Sequence, residues 1–354
     1  MVAEQRQTVE HLRAEIAFRA KLARQHVTGE LLLPDYFTKE EHDEIIRQRA
    51  AETQAAMQAV TENGVQLSPF LELGAERGQR SVVVCSDFAA EGAAADISYE
   101  QLRTMEHFAE LLGRDQLPVR VCCDANRLPF KSDSFAFAFS YQFLHHFPSP
   151  APIVAEIYRV LASGHYLFGD EPFKRFLKLA LFRRSGKVYS KEERRKNRYR
   201  SLLESFFSEE RSDEVEHGVL ENDEVSLQGW AGALSVFEDY EAQLTSVYGI
   251  RSRLRDHVGW RNGVSWLLGG IVSGLGRKSG PTSAVRNVME TLDCPECMSV
   301  RGRREGDGSA LQVRSDAVAC SVCSSAFPIM DGVIFLLPHH LLRELYPQFA
   351  RGWV

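Results

Sequence analysis

The chain has 354 residues, 44% hydrophobic and 25% charged, enough for one large globular domain and one or two smaller units. A formal net charge of -6 argues against a protein whose whole surface binds polyanions, since such surfaces are strongly basic. The uncharged stretch Asn262 to Gly276 has 15 residues and is full of glycine, against the roughly 20 apolar residues that span a bilayer. The first 30 residues lack the apolar core of a secretory signal, and a cytoplasmic protein is expected.

Residues 1–62 read as a helical cap, in which Thr38 with Glu41 three residues later makes a capping box. From Phe70 short apolar runs (FLELGA, AAADIS, VRVCCDA, FAFAFSY and HYLFGDEP) are separated by helical stretches. Strands alternating with helices predict an α/β fold over residues 63–255, with a Rossmann-like, doubly wound, mainly parallel sheet. The run IVAEIYRVLASGHYLF predicts a helix that closes at Gly164 and feeds a strand.

A charged helical insert is expected at 172–228. Between Lys174 and Arg200 twelve Lys or Arg face two acids, and between Glu204 and Glu224 nine acids face one Arg. The two halves either fold against each other or leave the basic amphipathic part, within 174–200, free to meet phosphates or an anionic membrane surface. LQGWAGALSVFEDYEAQLTSVYGI predicts a helix and a strand that completes the sheet. A glycine-rich linker is expected over 256–290, a metal ribbon over 291–338 and a tail over 339–354.

Of the seven cysteines, Cys85, Cys122 and Cys123 lie in apolar stretches and read as inert buried thiols. The other four form two CxxC pairs, Cys294 with Cys297 and Cys320 with Cys323. Each pair can hold one edge of a metal ion, and the two together make the closed thiolate tetrahedron of structural zinc. With every position filled by protein, such a zinc has no catalytic role.

In LELGAERG, Gly74 and Gly78 bracket a strand-to-helix turn where the backbone can approach a ligand, an arrangement that dinucleotide-binding enzymes share. Asp96 ends the next apolar run, where a carboxylate can accept hydrogen bonds from a ribose diol, and Asp124 ends the one after.

In this order LELGAERG, AADIS, CDANRLPF, SFAFAFSYQFLHHF and EIYRVLASGHYLF resemble the successive motifs of class I S-adenosylmethionine-dependent methyltransferases of the small-molecule type, over about residues 68 to 171. The resemblance implies that Glu72, Gly74, Ala75 and Gly78 line the methionine part of the cofactor, with Ser140 and Tyr141 beside it. It also implies that Asp96 with Ile97 holds the ribose, and that Asp124 with Ala125 contacts adenine. Glu76 stands where the family usually has Gly, and Ala136 where it usually has Asp.

Methyl transfer needs alignment of acceptor, methyl and sulfur, and a proton acceptor if the acceptor is a hydroxyl. His145, His146 and Glu171 follow strand ends on the expected cofactor side and are the candidates. The stretch CSVCSSAFPIMDGVIFLLP is similar to the zinc-ribbon partner proteins of RNA and protein methyltransferases. That resemblance implies a ribbon that packs on the enzyme or shapes substrate entry; the alternative is a folding staple.

The acidic balance and compact motif set favour a small-molecule or glycan acceptor, lipid-linked or phosphorylated forms included. An RNA or protein acceptor is the alternative. Against it, the strand end reads SYQFLHH rather than Asn-Pro-Pro-Tyr, and nucleic acid is the less favoured partner. A third reading is a catalytically silent module that acts through the ribbon.

Overall fold

The computed structural model describes residues 2–30, 32–33, 38–174, 213–246, 249–254, 263, 265–267, 269–283, 285, 287–301 and 311–350. Most of the basic stretch 174–200 therefore lies outside the described residues; Lys174 pairs with Glu224 at 2.8 Å.

Two helices form the cap, α1 (Val2–Thr28) and α2 (Lys39–Glu62). The Thr38 side chain accepts from the Glu41 amide while the Glu41 carboxylate accepts from the Thr38 amide, so α2 starts on the expected capping box.

The strands β1 (Phe70–Leu73), β2 (Gly92–Asp96), β3 (Val119–Cys122), β4 (Phe135–Tyr141) and β5 (Leu161–Pro172) follow the five apolar runs. They pair in parallel, in the order β5-β4-β1-β2-β3. Parallel strands buried on both faces read as nearly unbroken apolar runs, which is why all five stand out in the sequence. Alternation sorts their side chains: Leu71, Leu73, Ala93 and Ala95 face the helices Pro150–Val160 and Leu227–Leu234. Phe70, Phe137 and Phe139 face α2 and α3 (Gln79–Phe88). The chain reverses direction across the sheet between β1 and β4, and ligands of open α/β sheets bind in the crevice beyond the strand ends at such a point.

Three stretches depart from the sequence reading. The expected linker contains β8 (Gly270–Lys278), which runs antiparallel between β5 and β6 (Asp239–Ser246), with the short β7 (Arg251–Arg253) outside β6. Its glycines serve packing: a Cβ on Gly274 would lie 2.4 Å from the Glu241 carbonyl oxygen, and one on Gly276 2.7 Å from the Phe237 ring. Next, the helix that starts at Pro150 ends at Val160, and Gly164 lies inside β5, where a Cβ would meet the Ala136 carbonyl at 2.0 Å. Last, the expected tail folds into helices His339–Leu345 and Pro347–Ala350, and Tyr346 between them is 2% exposed.

The ribbon continues the central sheet. Its strands β9 (Leu311–Val313), β10 (Ala317–Cys320), β11 (Ala326–Met330) and β12 (Val333–Phe335) extend the order to twelve strands, with β12 parallel to β3. Asp331 (φ 48°) and Gly332 (φ 71°) join β11 to β12 in a two-residue turn of the left-handed kind that suits hairpin twist.

Gly274→Ala is expected to lower stability by about 2 kcal/mol through overpacking between strands, read by urea denaturation, whereas a linker glycine would tolerate the change.

Candidate functional site

The cofactor loop runs from the end of β1 to the start of α3. Gly74 (φ 63°) and Gly78 (φ 66°) both take the left-handed conformation. Each also makes room for a side chain: a Cβ would come 2.4 Å from the Phe143 ring at Gly74 and 2.1 Å from Met105 at Gly78. Ala75 between them is buried. Glu72, 3% exposed, turns toward α3 and accepts from the amide (3.0 Å) and hydroxyl of Ser81. Burial raises its carboxyl to about 7.

The Asp96 carboxylate closes β2 and accepts the amide of Glu76 at 2.9 Å and that of Ser98 at 2.8 Å, one on each oxygen. A carboxylate oxygen takes two hydrogen bonds, so each keeps an acceptor site for a diol. Burial raises this carboxyl to about 6. Asp124 holds Asn126 through Oδ1 alone, at 2.9 Å to the backbone and 2.8 Å to the side chain. Ala125 beside it is half-buried. Ile97 and Tyr99 are braced from the far end of the chain. Tyr346 donates its hydroxyl to the Ile97 carbonyl at 2.6 Å and accepts the Tyr99 amide at 3.1 Å, and Tyr99 donates to Asp331 of the ribbon turn at 2.5 Å.

Beyond β4 the picture is corrected at two residues. Ser140 is fully buried and shares a 2.7 Å hydrogen bond with Tyr166, so it turns away from the crevice. Glu171 is fully buried and accepts from the amides of Phe143 (2.8 Å), Leu144 (3.0 Å) and His145 (3.2 Å) and from His145 Nδ1 (2.9 Å). Four donors fill its acceptor sites, so it fixes the turn after β4 and is closed to a substrate proton.

His145 thereby keeps Nε2 as its free ring nitrogen among the described residues, and Glu171 raises its affinity for a proton against the pull of burial. His146 donates Nδ1–H to the Leu220 carbonyl at 3.0 Å, and burial lowers it to about 4. Tyr141 remains half-buried at the end of β4.

A feature absent from the sequence reading is the arginine cluster on Glu76. This residue (φ 47°) pairs with Arg19 of α1 at 3.2 Å, Arg49 of α2 at 3.4 Å and its neighbour Arg77 at 3.5 Å. Opposed to the cost of burial, these charges hold its carboxyl well below the usual carboxylate range. Arg19 also pairs with Glu15 at 2.7 Å and Glu214 at 3.1 Å and reaches His146 Nε2 at 3.5 Å. The one signal in the sequence was the charged residue at a glycine position, which requires a counter-charge.

The four ribbon cysteines come together with all sulfurs within 4.8 Å of one another, three of them on buried residues. Cys294 and Cys323 sulfurs lie 3.6 Å apart, as do those of Cys297 and Cys320. A tetrahedral zinc with thiolates at about 2.3 Å sets its sulfurs roughly 3.8 Å apart, so the donor set fits that ion. Amides of Val322 and Cys323 point at the Cys320 sulfur at 3.4 and 3.5 Å, as suits a thiolate ligand.

Strand order, the antiparallel β8 and the acids closing β1, β2 and β3 define a class I methyltransferase fold. Residues 71–169 match the family model described as a methyltransferase domain, and the enzyme is an S-adenosylmethionine-dependent methyltransferase. No curated protein matches the sequence. Similar solved structures include a methyltransferase of this cofactor class from Thermotoga maritima, 15% identical over 68% of this chain and 95% of that one, with a TM-score of 0.38. Another, from Methanosarcina mazei, is 19% identical over 62% of this chain and 97% of that one, with a TM-score of 0.38. A complex of the Haloferax volcanii Trm112 methyltransferase activator with a methyltransferase matches at 12% identity over 74% of this chain and 98% of that one, with a TM-score of 0.39.

Glu76→Gly, which installs the usual family residue, sets two effects against each other. Relief of the left-handed backbone gains about 1 kcal/mol, while leaving three half-buried or buried guanidinium groups without their shared acid costs roughly 3 kcal/mol. A net loss of about 2 kcal/mol is expected in urea denaturation.

Proposed function

We propose that the enzyme methylates a hydroxyl or amine of a small molecule or glycan, with His145 as proton acceptor and a structural zinc in the ribbon. The observation that carries the acceptor class is the roof over the strand ends. Arg19 ties α1 at once to the cofactor loop, the turn after β4 and the helix Asp213–Glu216. A crevice closed on this side suits an acceptor taken in whole better than a nucleic-acid duplex. A phosphorylated or lipid-linked acceptor would have the basic stretch 174–200 to meet. Four cysteines gathered as a metal-ligand set suit a reducing compartment, which favours the cytoplasm.

When bound, the cofactor supplies a methyl group on a sulfonium, open to displacement by the acceptor. Asp96 would hold the ribose hydroxyls through the acceptor sites its backbone partners leave. Asp124 Oδ2, with Ala125, would take the adenine side, and Ala75 and the glycine turn the methionine side. Glu171 orients His145 through Nδ1, which leaves Nε2 to take the acceptor's proton, the role an acid-oriented imidazole plays in general base catalysis. The raised proton affinity of His145 means that the base is charged, and idle, in acid, so the rate should climb as pH rises through neutrality.

Titration calorimetry should give micromolar binding of S-adenosylmethionine that Asp96→Ala abolishes and that weakens as pH falls through about 6, where Asp96 gains a proton. Transfer of labelled methyl to small hydroxyl and amine acceptors, and not to RNA or protein, is expected, with His145→Ala slowing turnover about 100-fold or more. Labelling of RNA or protein alone would overturn the acceptor class.

Metal analysis should find one zinc per chain. Cys320→Ser should lose it together with several degrees of melting temperature, because zinc held only by the folded ribbon adds its binding energy to folding.

A further inference from the structure

At the end of β4 stands an arginine that pairs with no acid among the described residues. Arg80, in the first turn of α3, lays its guanidinium over the Tyr141 ring, 4.4 Å from its centre. That ring rests on β5 at Gly169, where a Cβ would approach it to 2.3 Å. Tyr141 is thus fixed between a strand and a cation, and among the described residues no carboxylate lies within ion-pair distance of Arg80.

Arg49 is in a similar position. Its acid partner among the described residues is Glu76 at 3.4 Å, and Glu76 already serves Arg19 at 3.2 Å and Arg77 at 3.5 Å. Burial, and after it the charge of Arg80, loosens the hold of Arg49 on its proton, as expected for two cations kept close. Of the acids whose charge Arg80 feels, Glu72 is raised by burial to about 7, and Glu76 is already shared among Arg19, Arg49 and Arg77. The amino-terminal end of α3 adds partial positive charge on the same side. Arg80 and Tyr141 are both half-buried, so the group that would balance this charge can reach them from solvent.

We infer that Arg49 and Arg80, with Tyr141 as platform, form a receptor for a carboxylate or phosphate group at the mouth of the crevice. Guanidinium groups match the planar geometry of a carboxylate and the oxygens of a phosphate, and stacking on an aromatic ring holds the fork in place. The inference rests on the methyltransferase reading only for the origin of the anion, which is either the amino-acid end of the cofactor or an acidic acceptor.

The test uses the full-length, zinc-loaded protein as wild type, Arg80→Gln and Arg49→Gln, each checked for an unchanged circular dichroism spectrum. Malonate and inorganic phosphate are titrated with and without saturating S-adenosylhomocysteine. S-adenosylmethionine and its decarboxylated analogue are titrated separately. If the anion comes from the acceptor, malonate or phosphate binds the S-adenosylhomocysteine-loaded wild type, and each variant weakens it about tenfold while cofactor affinity holds. If it comes from the cofactor, the variants weaken S-adenosylmethionine about tenfold and leave the decarboxylated analogue unchanged.

Equal affinities in wild type and both variants on every arm would overturn the receptor. Should Arg80→Gln misfold, Arg49→Gln reads the same losses. A wild type that binds no S-adenosylmethionine would defeat the cofactor reading instead, and malonate on the unloaded protein would still decide the receptor.

Discussion

The half-buried carboxylate of Glu76 is the point through which the cap, the cofactor loop and the return of the insert are fastened. One acid answers guanidinium groups from α1, from α2 and from its own loop, while its amide secures Asp96. A glycine at this place would give the loop its left-handed turn and the same amide, but no tie to the cap. The charged side chain turns a ligand loop into a joint between two layers, at the cost of an unfavourable backbone conformation that the ion pairs offset.

A second constraint acts beyond β4. Glu171 spends its whole hydrogen-bonding capacity on the turn from Phe143 to His145, so the position of the imidazole depends on an acid that never meets solvent. The crevice is therefore shaped by two acids of opposite placement. One is half-open and shared among cations, and the other is sealed and shared among amides.

The parallel strands, the capping box and the four-cysteine set were legible because each rests on local chemistry: apolar runs, a side chain three residues from its cap, and paired thiols. β8 was not, because its core face is built from glycines that admit neighbouring backbone and rings, and the same letters in a row describe a flexible connection. Glu171 looked open because an acid before proline at a strand end suggests a substrate contact, and its actual partners are amides in a distant turn. Arg19 with Glu15 has the spacing of an ordinary surface pair, and nothing local tells that α1 lies over the cofactor loop. The sequence order of acids at strand ends located the site; the charges that close it come from elements far away along the chain.

The parallel pairing of β3 with β12 has a consequence for how the chain is made. Val119–Cys122 leaves the ribosome more than 200 residues before Val333–Phe335, the strand that covers its edge. At roughly 5–20 residues per second, that edge waits on the order of 10–40 seconds with its backbone groups unpaired. An uncovered edge strand is a template for pairing with another chain. Synthesis of this enzyme is thus a race between the arrival of Val333–Phe335 and any neighbour able to supply a strand, and the nascent chain is most vulnerable after its catalytic half is complete.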